Sequence, residues 1–437
     1  MPSEPPRDPA PAPPAPPPSG RPPIVVVGAG AAGLMAAGFA AGTGAPVLLL
    51  ERTRDGGRKI LISGGGRCNV LPSQLDPARY HTASSPNSLR KMLLSWPLAE
   101  QRRFFEERLG LPLALEPETG KLFPVSNRAR DVRDGLVDFV RREGGSIRFE
   151  SRVTALHPPS RERGWRVAIE GGDEIDATAV VLATGGLSVP QTGSDGGGLR
   201  IAAALGHEVH PTYPALTPLL ADPPVHASLA GISLRVRLTV PLSRGEEVAE
   251  GGFLFTHRGY SGPSVLDVSH HAVLSAREEG ARQAILARWT ERDSAAWDRV
   301  LREGAGGTVA PVLRRALPAR LADRLLEKAS IDPDRPLSQL RRDERLRLVD
   351  LLTRYPLPWT GDEGYRKAEV TGGGVSLGDV HPRTLESRVA PGLFLCGEIL
   401  DAFGPIGGYN FAWAWATGRT AGLGAAASLG AVGGDGA

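Results

Sequence analysis

At 437 residues, the chain is long enough for two domains, each with its own core. The formal charge is only +3 and the hydrophobic fraction 41%, and no apolar run approaches the ~20 residues of a membrane span, so neither a strongly basic partner-binding protein nor a membrane protein is expected. Two cysteines, Cys68 and Cys396, exclude a disulfide scaffold and a cysteine-rich metal site and point to reduced cytoplasm.

The basic residues are mostly arginine, and Ala, Gly and Pro are abundant. That is the signature of GC-rich coding rather than of a nucleic-acid surface. Residues 1–23 are about half proline and lack the apolar core of a signal peptide, so a disordered or polyproline-like tail is expected there. Ile24–Val27 reads as a short buried strand, Leu34–Gly42 as a small-residue helix, and Val47–Leu50 as a second strand ending at Glu51. Together they make a βαβ unit.

The stretch from Gly56 to Asn69 is too glycine-rich for a helix. Residues 88–109 and 127–143 carry helical spacing. Ser146–Val153 and Trp165–Ile169 alternate as strands, and Ala179–Leu182 is a further buried strand running into Ala183-Thr184-Gly185-Gly186. Beyond about 190 the texture changes. Residues 207–260 read as short antiparallel strands, and residues 280–355 as charged helices. Strand-like patterns return at 365–376 and 393–396. An apolar helix follows from Phe411 to Ala421, with a Gly/Ala-rich end expected to fray from about 422. The predicted fold class is α/β: a discontinuous Rossmann-like domain over 24–190 and 361–425, with a β-rich plus helical domain inserted at 191–360.

Gly28-x-Gly30-x-x-Gly33 follows a strand and opens a helix. The first glycine permits the tight turn, the second lets backbone approach a pyrophosphate, and the third lets helix and strand pack closely. The phosphates of a dinucleotide would then sit at a helix N-terminus. Glu51 lies where a carboxylate takes the ribose hydroxyls, which disfavours a 2′-phosphate. Gly397-Glu398 ends a second strand, and Gly407-Gly408-Tyr409-Asn410 opens the last helix. A distant element of this kind is what a flavin requires and a single-Rossmann nicotinamide enzyme does not. Glu398 would meet the ribityl chain. The helix start would stabilise the negative charge of a reduced flavin. Trp413 and Trp415 read as packing residues.

Ser63-Gly-Gly-Gly-Arg-Cys-Asn69 implies close backbone approach to something flat. Arg67 is a candidate for an anionic substrate group or the flavin, and Cys68 reads as a small packing residue. Thr371-Gly-Gly-Gly374 is a second such loop. In Thr256-His-Arg-Gly-Tyr-Ser-Gly-Pro263, His257 and Tyr260 are the candidate proton donors. His207 and His210 have H-x-x-H spacing without further ligands, and no metal is expected.

With these residues in hand, the chain resembles the bacterial BaiN-like flavoproteins, a family labelled NAD(P)/FAD-dependent oxidoreductase or aminoacetone oxidase family. The resemblance rests on Gly28–Gly33, Gly57–Asn69, Thr184-Gly-Gly-x-Ser-x-Pro-x-Thr-Gly193, Leu254–Pro263, Val370–Val375, and Gly397-Glu-x-Leu-Asp401 with Gly407–Asn410. It implies FAD, a Rossmann-like domain with an inserted domain, and loops 64–69 and 372–374 beside the isoalloxazine. One departure is Asp195-Gly-Gly-Gly198, where many relatives read closer to Thr-Gly-Asp-Gly. The residues expected to hold FAD are Gly28, Gly30, Ala32, Gly33, Glu51, Arg52, Arg58, Lys59, Gly65, Gly66, Arg67, Cys68, Asn69, Val153, Ala183, Thr184, Gly185, Gly373, Gly397, Glu398, Gly408, Tyr409 and Asn410. His257, Tyr260 and Arg67 are the expected catalytic residues.

The expected function is FAD-dependent hydride exchange with a small organic substrate, foremost reduction of an activated C=C bond with NAD(P)H as donor. An oxygen-using amine oxidase, and an RNA-associated or non-catalytic flavoprotein, are the rivals. No nucleic-acid partner and no membrane are expected.

Overall fold

The computed structural model describes residues 21–160, 163–277, 282–303 and 306–431. The expected tail over residues 1–20 lies outside them. Residues 21–23, read as part of that tail, are tied down: Thr178 Oγ1 donates to Pro22 O (3.1 Å) and Thr178 N to Pro23 O (3.0 Å). The chain forms two compact units. The first comprises residues 1–186, 191–211 and 373–437, the second residues 187–190 and 212–372. The main stretch of the second, 212–372, therefore starts later and ends later than the 191–360 insert read from sequence, and residues 187–190 join it from before that insert.

The first unit is built on a five-stranded sheet. Its strands are β1 (Ile24–Val27), β2 (Val47–Leu50), β3 (Ser146–Arg148), β4 (Ala179–Leu182) and β5 (Leu393–Leu395), in the order β5-β4-β1-β2-β3. Every pairing is parallel. Both faces of such a sheet are covered, which is why β1, β4 and β5 are wholly apolar and wholly buried. The carboxyl ends of β1, β2, β4 and β5 run directly into Gly28, Glu51, Ala183 and Cys396-Gly397. In open α/β sheets that edge is where ligands bind.

Three helices cover this sheet: α1 (Ala31–Ala41), α2 (Ala129–Arg142) and α3 (Tyr409–Ala431). The small residues of α1 serve helix contact as much as sheet contact. A Cβ on Gly418 would stand 2.4 Å from Ala32 O, and one on Gly422 2.2 Å from Ala36 O. Backbone therefore meets backbone where α3 crosses α1, which glycine alone permits. On another face Gly38 admits the Phe139 ring, whose Cε1 would lie 2.2 Å from an added Cβ.

Four local readings change. Arg58–Ile62 does form a short helix inside the glycine-rich stretch, because five consecutive residues there carry side chains and Gly57 opens the turn at φ 61°. The helical pattern at 88–109 is broken after Leu93 and restarts after Pro97, since proline cannot continue a helix. Ser146–Val153 is two strands, not one, separated at Glu150, which adopts φ 54°. The last helix continues to Ala431 rather than fraying from 422, because Ala421 and Ala425 are fully buried.

The second unit contains a seven-stranded sheet whose pairings are antiparallel. Its long hairpin pairs Ser233–Pro241 with Glu246–Phe255. Five helices, Pro263–Ser275, Ser294–Glu303, Val309–Arg314, Ala319–Ala329 and Arg342–Thr353, belong to the same unit. Its core gathers Phe253, Phe255, Tyr260, Trp289, Trp297 and the leucines of the helices. Among the described residues, no helix is long and apolar enough to cross a membrane.

Candidate FAD site

The turn after β1 separates the three glycine roles. A Cβ on Gly28 would press on Ala183 O at 2.7 Å, and Gly28 sits at φ 101°. A Cβ on Gly33 would come within 1.8 Å of Gly28 O. Both glycines are required by the protein's own packing. At Gly30 an added Cβ meets nothing within 4 Å. There the backbone is open to a ligand, at the N-cap of a helix whose first turn carries no acidic residue. Such a terminus is an anion site.

Glu51 closes the same turn from the side. It is only 7% exposed. Its Oε2 accepts from Ala29 N (2.7 Å), while Oε1 accepts from Thr53 N (2.7 Å) and Thr53 Oγ1 (2.8 Å). Three donors leave lone-pair capacity on a carboxylate that can accept about four. Just past β4, the Thr184 hydroxyl is buried with no hydrogen-bond partner in the protein, against Gly198, where an added Cβ would stand 1.9 Å from it.

The next wall is the loop 56–69. Gly57 N donates to Ala29 O (2.8 Å), joining it to the glycine turn. Arg58 Nε is bound to Asp55 Oδ1 (2.8 Å). Gly64, Gly65 and Gly66 follow at φ 56°, 67° and 84°, a left-handed run that side chains resist. All three are exposed, and nothing within 4 Å would meet a Cβ on Gly65. Arg67 stacks over Phe123, 4.0 Å from the ring centre, and pairs with Glu116 at 3.1 Å. Cys68 turns inward at φ 61°. Burial pushes its thiol up to about 12, against a hydrogen bond with Ser63 that lowers it. The thiol is therefore inert and serves packing. Cys396 is likewise buried and raised.

The C-terminal segment meets these elements across several hundred residues of sequence. Lys59 Nζ forms a 2.5 Å ion pair with Glu398 Oε2, so the carboxylate expected to meet the ribityl chain is already held by a cation from the glycine-rich loop. Gly397, at φ 80°, is close enough to α1 that a Cβ would stand 2.7 Å from Ala32 Cβ. The Asn69 amide, turned to satisfy both its ends, donates to Leu71 O (3.1 Å) and accepts from Gly408 N (2.9 Å). Asn410 braces the turn before α3, accepting from Gly404 N (2.9 Å) and donating to Gly404 O (2.8 Å). Tyr409 is buried, with its hydroxyl 2.9 Å from Arg79 Nη1. Trp413 and Trp415 donate to Gly397 O and Val70 O, both at 3.0 Å, in keeping with packing roles.

Other sequence candidates are placed differently. Gly373 and its neighbour Gly374 are buried. Their missing side chains make room for Pro211 O and Ile399 O, at 2.4 Å and 2.7 Å from an added Cβ. Their glycine requirement is thus met by the protein's own backbone. Val153 opens the strand Val153–His157 and pairs with Ile169. His207 is buried with both ring nitrogens engaged, by Ala202 O (3.0 Å) and Ser387 Oγ (2.7 Å). His257 and Tyr260 belong to the second unit. His257 is exposed on the turn between two strands. Tyr260 is wholly buried and its hydroxyl bonds to His226 Nδ1 at 2.7 Å. Burial first, and Tyr355 second, raise it well above the usual phenol range. Tyr260 is consequently a core residue, which corrects its reading as a candidate proton donor.

Residues missed in the sequence include Asp401. Its Oδ2 accepts from Thr82 Oγ1, Ala83 N, Ser84 N and Ser84 Oγ at 2.9–3.0 Å, which anchors the segment after Gly397. It was visible as the end of a motif, but nothing local to it announces partners over 300 positions away.

A family model described as the HI0933-like protein Rossmann domain matches residues 22–424. The chain belongs to this family. It is 34% identical over 412 residues to a 3-dehydro-bile acid delta(4,6)-reductase of Clostridium scindens, covering 92% of this chain and 98% of that one. It is 33% identical over 403 residues to a ribosomal RNA dihydrouridine synthase of Escherichia coli K12, covering 90% and 95%. The fold is that of a 3-ketosteroid delta4-(5alpha)-dehydrogenase from Rhodococcus jostii RHA1, with TM-score 0.51 at 16% identity over 93% of this chain and 97% of that one. The protein is a Rossmann-type FAD-dependent oxidoreductase.

The residues fit that cofactor. The open backbone at Gly30, the α1 N-terminus and the Glu51 carboxylate suit a dinucleotide. The buried Thr184 hydroxyl and the exposed glycines 64–66 offer further polar backbone and side-chain contacts. When bound, FAD supplies hydride chemistry at its N5.

Proposed function

We propose that this enzyme reduces a C=C bond conjugated to a carbonyl, with NAD(P)H as the electron donor. The observation that carries the reading is what the two relatives share. Dihydrouridine differs from uridine by hydrogen added across one ring C=C. A delta(4,6)-reductase of a 3-dehydro bile acid acts, by its name, on double bonds in line with a 3-ketone. The two substrates differ greatly in size, and the common step is addition of hydride and proton to a polarised alkene. In balance, NAD(P)H and one proton are consumed for each C=C saturated, and NAD(P)⁺ is released. The β-carbon takes the hydride and the α-carbon the proton. His257, exposed on its turn, is the proton donor in this reading. Arg67 is a group for an anionic substituent if Glu116 yields it. The cytoplasm is the compartment in which NAD(P)H is supplied, and two buried thiols are consistent with it.

The nature of the substrate follows two readings. A small enone is favoured by the charge pattern of the arginine-rich helices, which are largely self-neutralised: Arg314 with Asp323, Arg324 with Glu327, Arg341 with Glu344 and Arg347 with Asp343. A uracil base in RNA is favoured by the Escherichia coli relative, so the expectation of no nucleic-acid partner is not carried forward.

The test is anaerobic. Purified holoenzyme is mixed with NADH or NADPH and the flavin absorbance near 450 nm followed. Bleaching by one of them, with recovery on adding a steroid 4,6-dien-3-one or deproteinised ribosomal RNA, supports the reading and names the substrate class. No bleaching by either nucleotide overturns it in favour of an enzyme fed by an oxidisable substrate such as an amine.

A further inference from the structure

We infer that Asp195 is a positioning residue for the adenosine half of FAD, gathering Arg52 and Arg152 into the rim beside Glu51. Three segments distant in sequence converge there. Arg52 leaves the carboxyl end of β2 directly after Glu51, the carboxylate placed for the adenosine ribose. The segment carrying Arg152 runs alongside, because Ser151 N donates to Glu51 O (2.8 Å) and Glu150 N to Thr53 O (3.1 Å). The third segment is the loop at Gly193–Gly197, where the sequence departs from the family resemblance.

Asp195 joins all three. Its Oδ2 pairs with Arg52 Nη1 at 2.5 Å and with Arg152 Nη2 at 3.2 Å. Its Oδ1 accepts from Gly197 N (3.0 Å), which fixes the start of the helix Gly197–Ala204. Arg52 Nη1 also donates to Gly193 O (3.3 Å). Gly193, at φ 107°, lies so close to Thr53 that a Cβ would stand 3.3 Å from Thr53 Cγ2. Without the carboxylate, Arg52 would face Arg152, which Glu170 alone would then pair (3.2 Å), and the loop would lose its ion pair with Arg52. With it, both guanidiniums are fixed. A guanidinium plane stacks on aromatic faces, and the purine is the flat group at that end of the dinucleotide. Burial alone would raise the Asp195 carboxyl. The Gly197 hydrogen bond and the two arginines outweigh it and hold the group below the usual range, so the clamp is charged at any working pH.

The test compares FAD with FMN, which lacks the adenosine. Apoprotein is titrated with each flavin and binding read from quenching of flavin fluorescence, which requires no turnover. Asp195→Asn keeps size and the acceptor for Gly197 N while removing the charge. It is expected to weaken FAD binding about tenfold and leave FMN binding unchanged. In the Asp195→Asn/Arg52→Gln double variant the further loss is expected to be small, because the two groups act as one unit. An equal loss for FAD and FMN, with a lowered apoprotein melting temperature, would assign Asp195 to general stability and overturn the inference. Unchanged FAD affinity in both variants would overturn it as well.

Discussion

Gly30 and Gly33 stand three residues apart in one motif, yet their side chains are missing for different reasons. A Cβ on Gly33 would enter the Gly28 carbonyl at 1.8 Å, while one on Gly30 meets no protein atom within 4 Å. Substitution should therefore separate folding from cofactor binding. Gly30→Val is expected to leave the melting temperature of the apoprotein within a few degrees of wild type, because Gly30 has an ordinary extended backbone at φ −80°. The same variant is expected to lose bound FAD on purification, read as the 450 nm to 280 nm absorbance ratio. Gly33→Ala is expected to lower the melting temperature itself, by the several degrees that overpacking of about 1–3 kcal/mol produces. If Gly30→Val retained a full complement of flavin, Gly30 would not be the point of ligand approach. The motif already assigns ligand approach to Gly30 and packing to Gly33, and the surroundings of each absent side chain bear that division out.

Elements follow the same division between what is local and what is distant. The βαβ unit and the buried strands were legible because their signals are contiguous: an apolar run, a glycine turn and a small-residue helix within thirty positions. The split of 146–153 was not, because alternation continues past Glu150 while the backbone there turns left-handed. Tyr260 was misread because its turn is polar, whereas its hydroxyl is claimed by a histidine 34 positions away. That histidine, His226, is a hub within the second unit. Its other nitrogen meets Tyr355 Oη at 2.8 Å, and Lys328 Nζ donates to the same oxygen at 3.1 Å. Burial, helped by Arg324 and Lys328, lowers His226 from 6.5 to about 4. The folded state thus binds its proton less readily than the unfolded chain. Stability from this source is complete above pH 6.5 and falls as pH drops through 6.5 toward 4. The loss amounts to about 3 kcal/mol at most. Urea midpoints measured between pH 7 and pH 4.5 are expected to fall more steeply for wild type than for His226→Gln, which keeps a donor and an acceptor without titrating. Parallel curves would mean that His226 is not held neutral in the fold.

At the scale of the whole molecule, the chain solves two problems with different chain economies. The first unit needs both ends of the sequence. Its fifth strand and the helix α3 arrive after residue 390, and without them β4 has no outer neighbour and α1 loses the backbone contact at Gly418 and Gly422. The second unit is nearly continuous. Its core residues, from Leu219 to Trp359, all fall within one stretch, and its seven-stranded sheet draws no strand from outside 212–372. Only the tetrapeptide 187–190 comes from elsewhere, supplying Leu187 N and Ser188 N to Thr371 Oγ1 at 2.8 Å and 3.1 Å. With Ser188 Oγ donating to Glu369 O (3.2 Å) and Val189 N to Tyr365 O (2.8 Å), these are hydrogen bonds of about 1 kcal/mol each, small beside a core of that extent, and a stretch of this size lies within the ordinary range of autonomous domains. The fragment 212–372 is therefore expected to be soluble when expressed alone, to give a mixed α/β far-ultraviolet spectrum, and to unfold in one cooperative transition. It is expected to carry no flavin absorbance, since Gly30, Glu51 and the loop 64–69 are all elsewhere. A fragment that aggregates or melts without cooperativity would show that this core depends on the Rossmann-like unit to form. A yellow fragment would relocate the cofactor. The informative outcome is the cooperative, colourless one, because it would place the whole of FAD affinity on the unit assembled from the two chain ends and leave the inserted stretch free to vary with the substrate.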